Sequence, residues 1–223
     1  MASLFRRSKD IVDKEGFGGL LHRILTFLPR RNLLGMKYEA RYYYEHTMKE
    51  RDPAEFLPRI RDFSLHIIRT TQEADELEAK GYEFRSYQTK AHRSLDIGGV
   101  AFCIFVEKEL AHIGWVALTE AAKPYVDDWP FKVDFANKEA CTGATLTIPK
   151  FRGNGLMKYI YYKRFDFLFQ MGIERTRNSV GIHNVASNQV HRKFDPKIYT
   201  MCRYFKFLWW SSWKETALDI TVS

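Results

Sequence analysis

The chain has 223 residues, 45% of them hydrophobic and 15% aromatic, with a formal net charge of +8 at pH 7. That apolar content supports a packed core and excludes a disordered chain. The basic balance points to an anionic partner: nucleic acid, a lipid surface or a phosphorylated cofactor. Cys103, Cys141 and Cys202 are odd in number and far apart. That excludes a disulfide framework or a zinc site with closely paired ligands, so the three read as buried free thiols. No apolar run approaches the ~18–20 residues that span a bilayer. The start lacks an apolar h-region and a small-residue cleavage site, so no cleavable leader is expected.

Residues 1–60 read as a basic helical extension and 61–223 as the main domain. Eleven Lys/Arg against six Asp/Glu fall within residues 1–51. Phe17, Leu20, Leu21, Ile24, Leu25 and Leu28 recur at helical spacing, ending at Pro29-Arg30-Arg31. A second helix is expected over Met36–Lys49, and Asp52-Pro53 and Pro58 mark a boundary. A strand is expected over Phe63–Ile68. A helix then starts with the capping-box pair Thr70 and Glu73 and stops at Gly81. Residues 84–98 read as irregular. Gly99–Val106 and Ala111–Leu118 read as strands joined by the charged turn Glu107-Lys108-Glu109. A long connection over 120–138 leads to a strand at Cys141–Ile148. After the loop that follows come a helix over Leu156–Met171, a strand over Arg175–Ile182 and a short helix over Val185–Phe194. The aromatic end, with Trp209, Trp210 and Trp213, reads as strand, its tryptophans mostly core.

The stretch Pro149-Lys150-Phe151-Arg152-Gly153-Asn154-Gly155 lies between a strand and a helix. Glycines there let the backbone turn tightly and approach a ligand. The first N–H groups of the helix point outward without intrahelical partners, and with the helix dipole they make an anion site suited to phosphate. Lys150 and Arg152 add positive charge. No Gly-Lys-Ser/Thr follows, which excludes a nucleotide P-loop, and a third glycine at dinucleotide spacing is missing.

With this loop, and in its element order over about residues 62–218, the chain resembles the GNAT acyltransferase superfamily. The family's Gln/Arg-x-x-Gly-x-Gly/Ala stretch corresponds to Lys150-Phe151-Arg152-Gly153-Asn154-Gly155, with Lys at the first position. The resemblance implies an α/β (α+β) fold with a mixed, mostly antiparallel central sheet flanked by helices. It implies transfer of an acetyl or other acyl group from acyl-CoA to an amine or hydroxyl by direct attack, with no metal. The expected coenzyme A contacts are Leu146, Thr147, Ile148, Lys150, Arg152, Gly153, Asn154, Gly155, Leu156, Asn184 and Ser187. Backbone groups around Leu146 and Ile148 are expected to be free to pair with the pantetheine arm.

The family's Asn-x-x-Ala-x-x-x-Tyr register falls on Asn184 to His191, so His191 stands where a tyrosine would protonate the departing thiolate. Tyr199 and Tyr204 are the alternative acids. Glu139 and Glu120 are the nearest candidate bases, with Asp134 and His112 behind them. The basic segment 3–31 either packs on the core or a second subunit, as in a homodimer, or lies at the inner face of a membrane. Members linked to cell-surface glycan or lipid biosynthesis begin in a similar style, which suggests a small-molecule, sugar or lipid-linked acceptor. A cytoplasmic location is expected. Two alternatives remain at this stage: the same fold with aminoacyl-tRNA or acyl carrier protein as donor, and a non-catalytic basic protein bound to membrane or nucleic acid, of which nucleic acid is the less favoured partner.

Overall fold

The computed structural model describes residues 36–221. The helix expected within residues 17–28, and the membrane or packing role of segment 3–31, lie outside the described residues. Eight strands form one sheet: β1 (Met36–Thr47), β2 (Ser64–Ile68), β3 (Gly99–Val106), β4 (Glu109–Ala117), β5 (Glu139–Thr147), β6 (Arg175–Gly181), β7 (Lys197–Phe207) and β8 (Trp210–Thr221). Their order is β2-β3-β4-β5-β6-β1-β7-β8. The described helices are α1 (Thr71–Ala79), α2 (Lys123–Val126), α3 (Leu156–Gln170) and α4 (Val185–Arg192). The chain divides into two compact units. The smaller has residues 36–41 and 201–216 as its described part; the larger comprises 42–200 with 217–223.

Local signals place most elements of the larger unit. Thr70 caps α1 by accepting from the Glu73 N–H at 3.1 Å, and the Glu73 carboxylate accepts from the Arg69 N–H at 2.6 Å. Gly81 follows the helix at φ +89°. β3 and β4 form a hairpin whose turn residues, Glu107 and Lys108, both take positive φ, the geometry that matches strand twist. α3 lays Leu156, Ile160, Tyr161, Phe165 and Leu168 against Val100, Phe102, Ile104 and Val116 of the sheet, making the main core. All three cysteines are buried.

The helix expected over Met36–Lys49 is instead the strand β1, lying between β6 and β7. Tyr38 and Tyr42 suggested a helical stripe, but tyrosine equally favours strands. Lys37, Glu39, Arg41 and Glu45 alternate with Tyr38, Ala40, Tyr42 and Tyr44, which is the two-residue period of a strand. Tyr43 packs on Trp129, Phe131 and Tyr199, while Tyr44 and His46 stack against His191.

The sheet is antiparallel through β2-β3-β4-β5 and parallel between β5 and β6. The parallel pairing runs only from Glu139–Arg175 to Cys141–Arg177, and then the two strands part. Two features hold them apart. The β4–β5 register shifts at Gly114, where Ala144 bulges at φ +40°; a bulge bends its strand. The end of α2 rides over Gly143, where a Cβ would stand 2.5 Å from the Val126 carbonyl oxygen. The next residue, Asp127, accepts from the Ser179 N–H at 2.9 Å and the Trp129 N–H at 3.1 Å, supplying β6 with the acceptor that β5 no longer provides.

Gly143→Ala should therefore lower the unfolding free energy by about 1–3 kcal/mol, the usual cost of overpacking. Gly181→Ala, where a Cβ meets nothing within 4 Å, should change it by less than about 0.5 kcal/mol. Urea unfolding of both variants checks the pair; equal losses would remove α2 as a steric wedge.

Candidate functional site

Where β5 and β6 have parted, a cavity of about 560 Å³ opens, within the usual range of small-molecule sites. Thr145, Leu146 and Thr147 of β5 form one wall, and Phe151, Arg152, Gly153, Asn154 and Gly155 another. Leu156, Met157 and Lys158 open α3, and Asn184, Ala186, Ser187 and Val190 come from the start of α4. Thus nine of the eleven expected coenzyme A contacts line one cavity. Ile148 and Lys150 do not. The Ile148 N–H donates to the Ala111 carbonyl at 3.0 Å, and Lys150 pairs with Glu109.

The Ile148–Ala111 bond also fixes which backbone groups are open. Antiparallel ladders alternate between residues that face the partner strand and residues that face away. With Ile148 bonded to β4, Leu146 opposite Ile113 faces β4 as well, and Thr147 opposite His112 faces the open edge. Arg152 Nε lies 3.4 Å from the Thr147 carbonyl, as that parity requires. The free edge expected at Leu146 and Ile148 is therefore one residue out of step.

Gly153 and Gly155 take φ +80° and +78°, and Gly155 is the N-cap of α3. A Cβ at Gly153 would meet nothing within 4 Å, so the backbone there faces open space of the kind a phosphate would fill. Asn154 closes the turn by donating from Nδ2 to the Phe151 carbonyl at 3.1 Å. Asn184 caps α4 by accepting from the Ser187 N–H at 3.1 Å. The cavity thus has two helix starts along its rim, with Arg152 and Lys158 as its cationic side chains. Burial and the neighbouring Lys193 ammonium push Lys158 below the usual lysine range, and its Nζ donates to the Glu55 carbonyl at 2.6 Å.

The expected acids and bases lie elsewhere. His191 is fully buried: its Nδ1 is 2.8 Å from His46 Nε2, and its Nε2 is 3.2 Å from Asn178 Nδ2. A neutral imidazole protonated on Nδ1 satisfies both contacts, donating to His46 and accepting from Asn178. Burial, with His46 and Arg164 nearby, holds it well below the ordinary histidine pKa. It does not reach the cavity. Glu139 is buried at the start of β5, where Arg175, Arg177 and the Asp134 N–H bind its carboxylate. Six residues separate it from Thr145, roughly 20 Å along a strand. Glu120 is exposed beyond the end of β4 that pairs with Cys141. Tyr199 packs on Tyr43 with the Arg177 guanidinium over its ring at 5.1 Å.

Two groups that the sequence reading left aside or ranked low adjoin the cavity wall. His112 Nδ1 lies 2.7 Å from Thr147 Oγ1. Arg164 is fully buried and donates from Nη1 to the Trp115 carbonyl at 3.1 Å and the Gly143 carbonyl at 3.4 Å, with Thr145 Oγ1 also at 3.4 Å. A Cβ at Gly114 would stand 3.1 Å from this guanidinium, so the glycine makes room for it. Lys158 was legible as a first-turn cation next to the loop. Nothing local to Arg164 marks it as buried. Among the described residues, no group of three or more His, Cys, Asp or Glu is placed to hold a metal ion, and no helix is long and apolar enough to cross a membrane.

No protein-family model matches the sequence, and no curated protein is similar to it. Solved structures share its fold. A GCN5-related N-acetyltransferase-like protein from Streptococcus suis is 14% identical at a TM-score of 0.50, covering 82% of this chain and 67% of that one. A GCN5-related N-acetyltransferase from Sphaerobacter thermophilus is 11% identical at 0.50, covering 94% and 60%. The GCN5-related glucosamine N-acetyltransferase region of a fungal multi-domain GH3 β-N-acetylglucosaminidase is 13% identical at 0.51, covering 83% and 23%. The chain spans less than two thirds of the length of several of the solved chains it matches. Its fold, a mixed and mostly antiparallel eight-stranded sheet with helices, is GNAT-like.

The buried histidines make stability pH-dependent. Burial holds His46 and His112 down at about 3, and His191 is also depressed. All three stay neutral in the folded chain while the unfolded chain takes up protons below about pH 6.5. Stability should therefore be constant above that pH and fall on acidification toward pH 3. At pH 5 His46 and His112 should each cost about 2 kcal/mol, and His191 adds to the loss in the same direction. Urea unfolding at pH 7 and pH 5 reads this loss, and His112→Gln should lessen it. A pH-independent midpoint would contradict the burial of the three rings.

Proposed function

We propose that the chain is an acyl-CoA-dependent acyltransferase, moving an acetyl or other acyl group to an amine or hydroxyl acceptor by direct attack. The carrying observation is the cavity itself: an open strand edge, a loop with two left-handed glycines, and two helix starts around one space. In this reading the N–H groups that open α3, with Arg152 and Lys158, hold the pyrophosphate. The outward backbone groups of Thr147 align the pantetheine arm. The donor supplies the thioester; the chain supplies position, which alone can account for a large part of a barrier. The cavity's far end lies at Thr145, beside the Arg164 guanidinium, so charge developing there would meet positive potential. A sugar acceptor accords with the description of one similar fold as a glucosamine N-acetyltransferase region.

Thermal unfolding with saturating acetyl-CoA tests this reading. A ligand at ~100 times its dissociation constant should add about 2.7 kcal/mol of stability. No shift with acetyl-CoA or with longer acyl-CoAs would refute it. Gly155→Asp places a side chain and a negative charge against the pyrophosphate at a position of φ +78°. It should cost about 1–2 kcal/mol in the unliganded protein and abolish the acetyl-CoA shift. If the shift survives, the loop does not hold the phosphates.

A further inference from the structure

The tryptophans expected in the core are not there. From Lys206 to Ala217 every side chain is exposed. Strand pleating sends successive side chains to opposite faces, so among the described residues both faces of this hairpin are uncovered. At its tip stand Phe207, Leu208, Trp209 and Trp210, with Trp213 three residues on; Trp209 is 89% exposed. The turn is Leu208-Trp209, with Leu208 at φ +52°. Solvated hairpin turns ordinarily use Gly, Asn or Asp at such positions. Lys197, Arg203, Lys206 and Lys214 fall in the same stretch, and no acidic residue occurs between Pro196 and Glu215.

We propose that the tip of the β7–β8 hairpin docks on a lipid bilayer with anionic headgroups. Phe207 to Trp210 and Trp213 enter the interface, and Arg203, Lys206 and Lys214 supply the cationic contacts. Tryptophan partitions to the membrane–water boundary, and nearby lysines add attraction to anionic lipid. Lysine stems also lie along apolar surface while their heads stay wet. Four consecutive apolar residues at the tip fit insertion better than a nucleic-acid platform, which interleaves stacking rings with cations along a groove.

The test uses the full chain and its own fluorescence. Three of the five tryptophans are on the hairpin, Trp115 and Trp129 are buried, and residues 1–35 contain none. Vesicles of phosphatidylcholine, with or without phosphatidylglycerol, carry brominated acyl chains that quench inserted indoles. The expected result is a blue shift and quenching on anionic vesicles, weakened by high salt. Trp209→Ser with Trp210→Ser should remove most of the quenching without lowering the melting temperature. Lys206→Glu with Lys214→Glu should weaken vesicle binding roughly tenfold or more. Absence of vesicle binding would overturn the proposal. So would co-sedimentation without quenching, which would assign the contact to another segment. Quenching by single-stranded DNA but not by vesicles, or a dimer that the tryptophan variants dissolve, would overturn it equally.

Discussion

The parting of β5 from β6 after Cys141 is the constraint on which the rest of the site depends. Parallel strands gain evenly spaced hydrogen bonds for as long as they run together, so separation leaves backbone groups that must be answered elsewhere. On the β6 side Asp127 answers for Ser179. On the β5 side the outward groups near Thr147 border the cavity. Gly143, Gly114 and the Ala144 bulge make this possible: one glycine admits α2, the other admits Arg164, and the bulge turns the strand between them.

Arg164 gives the same region its electrostatic character. A buried guanidinium is costly unless hydrogen-bonded, and here the carbonyls of Trp115 and Gly143, paired across β4 and β5 beside the bulge, accept from it. Tyr161 stacks beneath it at 4.0 Å. The cation adds to the burial that keeps His112 and His191 neutral. Beside the β5 edge, a buried positive charge thus sits among uncharged rings. That charge lies next to Thr145, at the end of the cavity away from the glycine loop.

What the sequence revealed follows from range. The Thr70 cap, the Glu107-Lys108 turn and the Arg152–Gly155 loop are decided by neighbours in the chain, and each stands where local chemistry placed it. Helical spacing also put Asn184 and Ser187 together on the rim of the cavity. What stayed hidden depends on partners far away. Whether Leu146 or Thr147 faces the open edge is a matter of ladder parity, which needs the Ile148–Ala111 bond. His191 is matched to the acid by register alone; Tyr44 and His46, expected in a helix outside the domain, are strand residues that bury it. One misread element thus displaced a proposed catalytic group. The tryptophans failed differently: aromatic alternation predicts a strand but not whether anything covers it.

The cavity lining also bears on the acid–base question. Among the described residues it contains hydroxyls, two side-chain amides, apolar side chains and two cations, but no carboxylate and no histidine. His112 adjoins it through Thr147 and is too weakly basic at about 3 to accept a proton near neutrality. Such walls suit an anionic donor and do little for proton removal. Under the proposed reading, the acceptor must then arrive as a neutral nucleophile or lose its proton outside this cavity. The rate gained inside would come from holding the donor against the β5 edge and from the positive potential at Thr145. The same separation explains why the donor half of the site could be read from a short glycine-bearing segment, whereas the acceptor half has no comparable local signature.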